Sequence, residues 1–214
     1  MKLRKSKKSL NTQALQGSVL RDQVQQKTAC PYHTIYLKLA EGGEQMKIVE
    51  QYFIQKKTMA LESKWDEYGH VYTIIHEEHE KLIIKKPATF VIEFNCVFYG
   101  SSYKGRLKAA GEILVGQKLL PVCICEFNDI YMFPTMSPKS DQVIWLAVDH
   151  VKEVRSSKNK SVVILSNGDQ LFIPLLKEYI TSKIGKTSQL AMTLQQRRRY
   201  LMEHNFWNDK YPFK

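Results

Sequence analysis

The 214-residue chain predicts an α+β fold, mostly antiparallel β-sheet with helices gathered at the C-terminus. Three observations predict it. From Met46 onward, short runs rich in β-branched and aromatic residues alternate with charged or turn residues, as strands do. Val162–Leu165 and Gln170–Ile173 flank Asn167-Gly168, the dipeptide of a type I′ hairpin turn. Beyond Pro174, Leu176, Ile180 and Ile184 recur every fourth residue beside Leu175 and Tyr179, an apolar helical stripe. Strands and helices do not alternate, so a parallel βαβ architecture is excluded.

The elements follow in order. Lys47–Ile54, Thr58–Leu61, Val71–Ile75 and Leu82–Ile84 read as strands, with Asp66–Gly69 as a turn. Thr89–Tyr99 reads as the longest strand, with Phe90, Ile92, Phe94, Cys96 and Phe98 on one face. Gly111–Val115, Val122–Cys125, Ile130–Phe133 and Val143–Val148 continued by Val151–Val154 complete the strands before the hairpin. Pro174 suits a helix start, Gly185 a helix end, and a second helix covers roughly Thr187–His204. Leu190, Ala191, Leu194 and Leu201 would face inward on it.

Length and composition fit one domain with a tail: residues 1–28 a basic, flexible extension, 29–45 a linker, 46–207 the folded domain and 208–214 a C-terminal tail. The formal net charge is +11, of which residues 1–28 carry +6, seven basic side chains against Asp22. The remainder is asymmetric. Acidic residues gather at Glu62, Asp66, Glu67, Glu77, Glu78 and Glu80, and basic ones at Lys152, Arg155, Lys158, Lys160 and Arg197–Arg199. Such an excess favours a polyanionic partner, nucleic acid or an acidic membrane surface. The N-terminus lacks the apolar run of a signal peptide, and no apolar stretch is long enough to span a membrane, so a cytoplasmic location is expected.

Motifs that suggest chemistry are few. The four cysteines, Cys30, Cys96, Cys123 and Cys125, contain no C-x-x-C spacing, and the last two would share one strand face. His76-Glu77-Glu78-His79-Glu80 lacks the helical i, i+4 histidines of a zincin and reads as a solvated charged loop. A Cys125–His150 pair has no supporting spacing, and Trp65, Trp145 and Trp207 suit core or interface positions. No metal or other cofactor is expected. Gly100–Leu107 has the two glycines of a phosphate loop, but Arg106 and Leu107 stand where the motif needs Lys and Ser or Thr. NTP hydrolysis is therefore not expected. Ser101, Ser102, Tyr103, Lys104, Arg106 and Lys108 still form a phosphate-contact inventory. A tight glycine turn with solvated polar residues accounts for the loop equally well. Arg197–Arg199 span nearly a helical turn, so at least one must lie at the inner edge and meet an anion or acidic surface, unless the whole run is a solvated face.

The stretch from Cys96 to Pro174 resembles the ComK family of competence transcription factors. The likeness lies in Cys-Val-Phe-Tyr-Gly-Ser-Ser-Tyr-Lys-Gly-Arg over Cys96–Arg106, then Tyr131–Thr135, Ile144-Trp145, His150–Glu153 and Leu165–Gly168, in the family's order. It weakens over Lys47–Phe94 and toward Arg199, and it is absent before about Met46. The resemblance implies a bacterial activator of DNA-uptake genes that binds double-stranded, AT-rich promoter boxes largely through the minor groove. It also implies a homo-oligomer, dimer or tetramer, and a regulatory adaptor or protease partner, with no catalytic activity and no membrane association. The DNA-contact expectation then rests on Ser101, Ser102, Tyr103, Lys104, Arg106 and Lys108, extended by Lys152, Arg155, Lys158 and Lys160, with Arg106 foremost. The competing reading is a basic β-rich membrane- or protein-interaction module, since the same charge would bind acidic lipid.

Overall fold

A computed structural model describes residues 35–38 and 45–203 of the chain. The expectations for the N-terminal tail, Cys30, Trp207 and the C-terminal tail fall outside these residues. The α+β class holds. The strands are β1 (Ile35–Lys38), β2 (Gln45–Val49), β3 (Thr58–Trp65), β4 (Val71–Glu77) and β5 (Lys81–Ile84), followed by helices α1 (Ala88–Phe98) and α2 (Tyr103–Ile113). Then come β6 (Val122–Cys125), β7 (Ile130–Pro134), β8 (Ile144–Ala147), a 3-10 turn at Val148–His150, β9 (Val151–Ser157), β10 (Lys160–Leu165), β11 (Gln170–Ile173) and α3 (Lys177–Glu203). An eight-stranded sheet has the order β1-β2-β5-β4-β3-β8-β7-β6, and a three-stranded sheet the order β11-β10-β9. Among the described residues every pairing is antiparallel except β2 with β5. β1 lies inside the stretch expected to be linker.

The longest expected strand is a helix. Thr89–Tyr99 contains apolar residues at both the strand and the helix period, and packing selects the helix. Ala88, Val91, Ile92, Asn95 and Cys96 are its buried positions, spaced i, i+3, i+4, i+7, i+8. Pro87 occupies the N-cap, which suits a residue that cannot donate a backbone hydrogen bond. The far end closes with a Schellman motif. Ser101 N–H donates to the Cys96 carbonyl at 2.9 Å and Gly100 N–H to Val97 at 2.9 Å, with Gly100 at φ 79°. The expected strand Gly111–Val115 likewise belongs mostly to α2, which runs through Gly111; a Cβ there would touch Leu120 at 3.5 Å.

Other boundaries move for identifiable reasons. The expected strand Lys47–Ile54 leaves the sheet at Val49, because Ile54 N–H donates to Asn95 Oδ1 at 2.8 Å instead of to a neighbouring strand. The β10–β11 hairpin forms, but its turn is not type I′. Gly168 N–H donates to the Leu165 carbonyl and only Gly168 takes positive φ, at 94°; this is a type I turn closed by a glycine bulge. The two expected C-terminal helices are one 27-residue helix, with Gly185 inside it. The helix starts three residues after Pro174, and buried Ile180, Thr187 and Leu190 hold it in register on both sides of Gly185. His76 and Glu77 are not in a solvated loop but buried in β4. Tyr52 donates to Glu77 Oε1 at 2.6 Å, Lys57 pairs with its other oxygen at 2.6 Å, and His76 Nε2 lies 3.1 Å from Glu62.

The eight-stranded sheet is covered on both faces, and β8 shows the division. Trp145 and Ala147 face the core beneath α1, with Leu61, Ile75, Ile92 and Cys96, while Tyr103 and Leu107 of α2 pack against its edge. Ile144 and Leu146 face the opposite core, made with Val163, Leu165, Leu171 and Ile173 of the small sheet and Ile180 of α3. A third cluster joins Ala110 of α2 and Leu114 at its C-cap to Leu190 of α3 over Cys123 and Tyr131. Cys123 and Cys125 are thus both buried but in different clusters. A bulge between them breaks the alternation that would have put them on one face. Among the described residues no helix is long and apolar enough to cross a membrane, and no His, Cys, Asp and Glu group could hold a metal ion.

Candidate nucleic-acid interface

The Gly100–Gly105 spacing is a junction between two helices. Two of its amides close α1, and a third, Gly105 N–H, donates to Ser102 Oγ at 3.0 Å as the N-cap of α2. A Cβ at Gly105 would come within 3.1 Å of that oxygen, a tight contact that the Ser102 side chain would have to yield to. Amides that could have cradled a phosphate are therefore partly spent on capping. Ser101 flanks the junction, and Tyr103 turns inward, its ring edge-on to Trp145 at 6.4 Å. Burial pushes the Tyr103 hydroxyl up to about 12, with Glu93 adding to the shift.

Arg106 does not stand at the surface. Its side chain is 17% exposed, reaches toward the Tyr99 carbonyl at 3.5 Å and lies 4.0 Å from Glu126 Oε2. Lys104 and Lys108, one turn apart, are exposed on the outer face of α2. These two lysines and the free start of α2 are what the junction offers to an anion.

The second expected group lies elsewhere. Lys152, Arg155, Lys158 and Lys160 are all exposed, on β9, its turn and the start of β10. Arg155 is engaged with Glu153 through two hydrogen bonds of 2.8 Å. Lys158 sits at the hairpin tip with φ 51°, a backbone conformation sparsely populated by residues other than glycine. Lys160 pairs across the strand with Ser157, and Arg155 with Val162, which pairs in turn with Phe172. α2 packs at the β6 edge of the large sheet and the β9–β10 hairpin belongs to the small sheet, so the ten candidates are divided between two different elements.

Two features were not read from the sequence, and a third was read without its partner. The outer face of α1 carries Phe90, Phe94, Val97 and Phe98, whose i, i+4, i+7, i+8 spacing was a signal for a second apolar stripe. His150 is buried and bonded to Ser166 Oγ at 2.8 Å and the Lys56 carbonyl at 2.6 Å, so it supports structure and has no partnership with Cys125. Of the three arginines in the basic run, Arg198 turns inward to the Glu126 carbonyl and the Asp129 carboxylate, while Arg197 and Arg199 are exposed. The inner-edge contact expected of that run is made within the chain.

The family model described as ComK protein matches residues 49–199. The chain belongs to the ComK family. It is 28% identical over 156 residues to the competence transcription factor of Bacillus subtilis (strain 168), an alignment covering 67% of this chain and 81% of that protein. No solved structure matches it significantly. The ComK match takes in α1, α2 and the β9–β10 hairpin, so both groups of cations belong to the family domain.

Proposed function

We propose that the chain is a cytoplasmic, non-catalytic activator of competence genes that binds AT-rich promoter DNA as an oligomer, largely through the minor groove. Membership of the ComK family carries the reading, with its similarity to a competence transcription factor. The net charge of +11 supplies the sequence-independent attraction. The minor groove, about 6 Å wide, admits single extended side chains rather than a helix. The β9–β10 tip suits it, because Lys158 and Asn159 form its two-residue turn and Lys160 opens β10 beside them. Lys104 and Lys108, on α2, contact phosphates without reading sequence.

The test compares AT-rich and GC-rich duplexes over a range of salt. Lys158→Ala with Lys160→Ala is expected to abolish the AT preference. Lys104→Ala with Lys108→Ala is expected to reduce the salt slope by about two while leaving the preference intact. Equal wild-type affinity for both duplexes, with tight binding to anionic vesicles, would favour the membrane-module reading.

A further inference from the structure

In the small sheet, Val163, Leu165, Leu171 and Ile173 turn into the core beside Ile180 of α3. Alternation along the strands therefore sends Val162, Ile164 and Phe172 the other way. The outward face of an antiparallel sheet is ordinarily polar, and here its centre is apolar. Val162 lies between Phe172 on β11 and Arg155 on β9, and Phe172 stands 69% exposed. The rim is cationic. Lys160 is a diagonal neighbour of Phe172, roughly 7–8 Å away between Cα atoms. Among β9, β10 and β11 the acidic side chain is Glu153. Arg155 by its hydrogen bonds, then Lys177 and Lys152 by their charge, hold that carboxyl below its usual range. An apolar centre inside a cationic rim complements a duplex, whose stacked bases lie inside a phosphate border.

We propose that Phe172 is a wedge that enters a base step of the bound duplex from the minor groove, beside the point where Lys158 and Lys160 reach it. The assignment rests on the minor-groove reading above and adds a residue and a sequence preference to it. A side chain of a strand stands roughly perpendicular to its sheet, so the Phe172 ring projects toward the base pairs while the backbone of the sheet stays outside the narrow groove. Inserted rings of this kind partly unstack one step. Unstacking costs least at a pyrimidine–purine step such as TA, whereas an unbroken A-tract is stiff. Cations alone would favour the narrow, strongly negative groove of the A-tract. The wedge therefore shifts the preference, within AT-rich DNA, toward a duplex with a TA step beside the hairpin tip.

The test uses the full chain and AT-rich duplexes that carry 2-aminopurine, whose fluorescence rises on unstacking, either at a TA step or within an A-tract. The wild-type chain is expected to raise the TA-step signal and to bind that duplex at least about fivefold more tightly than the A-tract duplex. Phe172→Ala is expected to lose both effects. Its salt slope and circular dichroism spectrum should be unchanged, because the side chain is uncharged and exposed. Phe172→Leu, a smaller apolar wedge, should restore part of the signal. A wild type that prefers AT-rich to GC-rich duplex but leaves the fluorescence flat overturns the wedge, while the minor-groove reading stands. So does a Phe172→Ala chain indistinguishable from wild type. A wild type with no AT preference overturns both. If Phe172→Ala weakens binding to a single strand of the same sequence but not to the duplex, the face is a stacking platform for single strands and the wedge assignment fails.

Discussion

Arg106 Nη1 and Glu126 Oε2 lie 4.0 Å apart, joining the start of α2 to the β6–β7 turn. The same turn holds Arg198 of α3, so two arginines from two helices converge on Glu126–Asp129.

That arrangement separates the role of Arg106 from that of Lys104. Arg106→Ala leaves the Tyr99 carbonyl and Glu126 without their cation and is expected to destabilise the fold by about 1–3 kcal/mol. Lys104→Ala, at an exposed position, is expected to shift stability by no more than about 0.5 kcal/mol. Urea unfolding of both variants measures the difference. An Arg106→Ala protein with wild-type stability but weakened DNA binding would return Arg106 to the interface.

Asn95 is the polar hub beneath α1. It accepts from Ile54 N–H at 2.8 Å and donates to the carbonyls of Tyr52 at 3.0 Å and Val91 at 2.8 Å. Asn95→Leu strands a buried donor and acceptor, so a loss of about 2–4 kcal/mol is expected in chemical denaturation. A loss below about 1 kcal/mol would mean that the Tyr52–Ile54 segment finds other partners.

Alkaline pH should weaken the fold. Burial pushes the Cys96 thiol up to about 11 and the Cys123 thiol up to about 12, against an ordinary value of 9.0, and raises Tyr103 and Tyr131 as well. The folded chain therefore binds more protons than the unfolded one above pH ~9. The stability from these neutral groups is complete below pH ~9 and is lost progressively as pH rises from ~9 through ~11 to ~12. Melting temperature followed from pH 7 to 11 should fall only in that upper range. At pH 8 the native Cys96 and Cys123 should resist iodoacetamide, becoming reactive in urea, as read by peptide mass spectrometry.

Gly185 lies exposed in the middle of α3, and a Cβ there would meet nothing within 4 Å. Gly185→Ala should raise stability by about 0.5–1 kcal/mol through helix propensity alone, without altering DNA affinity. A destabilised variant would show that α3 bends at this point in solution.

The fold class and most strands were legible because their signals are local. β6, β7 and β8, and the hairpin strands β10 and β11, follow from short apolar runs bounded by turn residues. The family likeness was legible for the same reason, since Cys96–Arg106 and the Phe133–Thr135 segment are contiguous words. Thr89–Tyr99 was not legible, because Phe90, Ile92, Phe94, Cys96 and Phe98 satisfy the strand period while Ala88, Val91, Ile92, Asn95 and Cys96 satisfy the helix period. Only the sheet beneath, with Trp145 and Leu61 to cover and a Pro87 start and Gly100 stop, decides between them. The direction of Arg106 was equally out of reach. A basic residue after a glycine loop reads as a phosphate contact, but Glu126 and the Tyr99 carbonyl draw it inward, and their nearness is created by the packing of α2 against β6. The sequence by itself determined the chemistry available and the fold class. The tertiary structure decided which cations face solvent, because burial and long-range partners are set by packing and not by spacing.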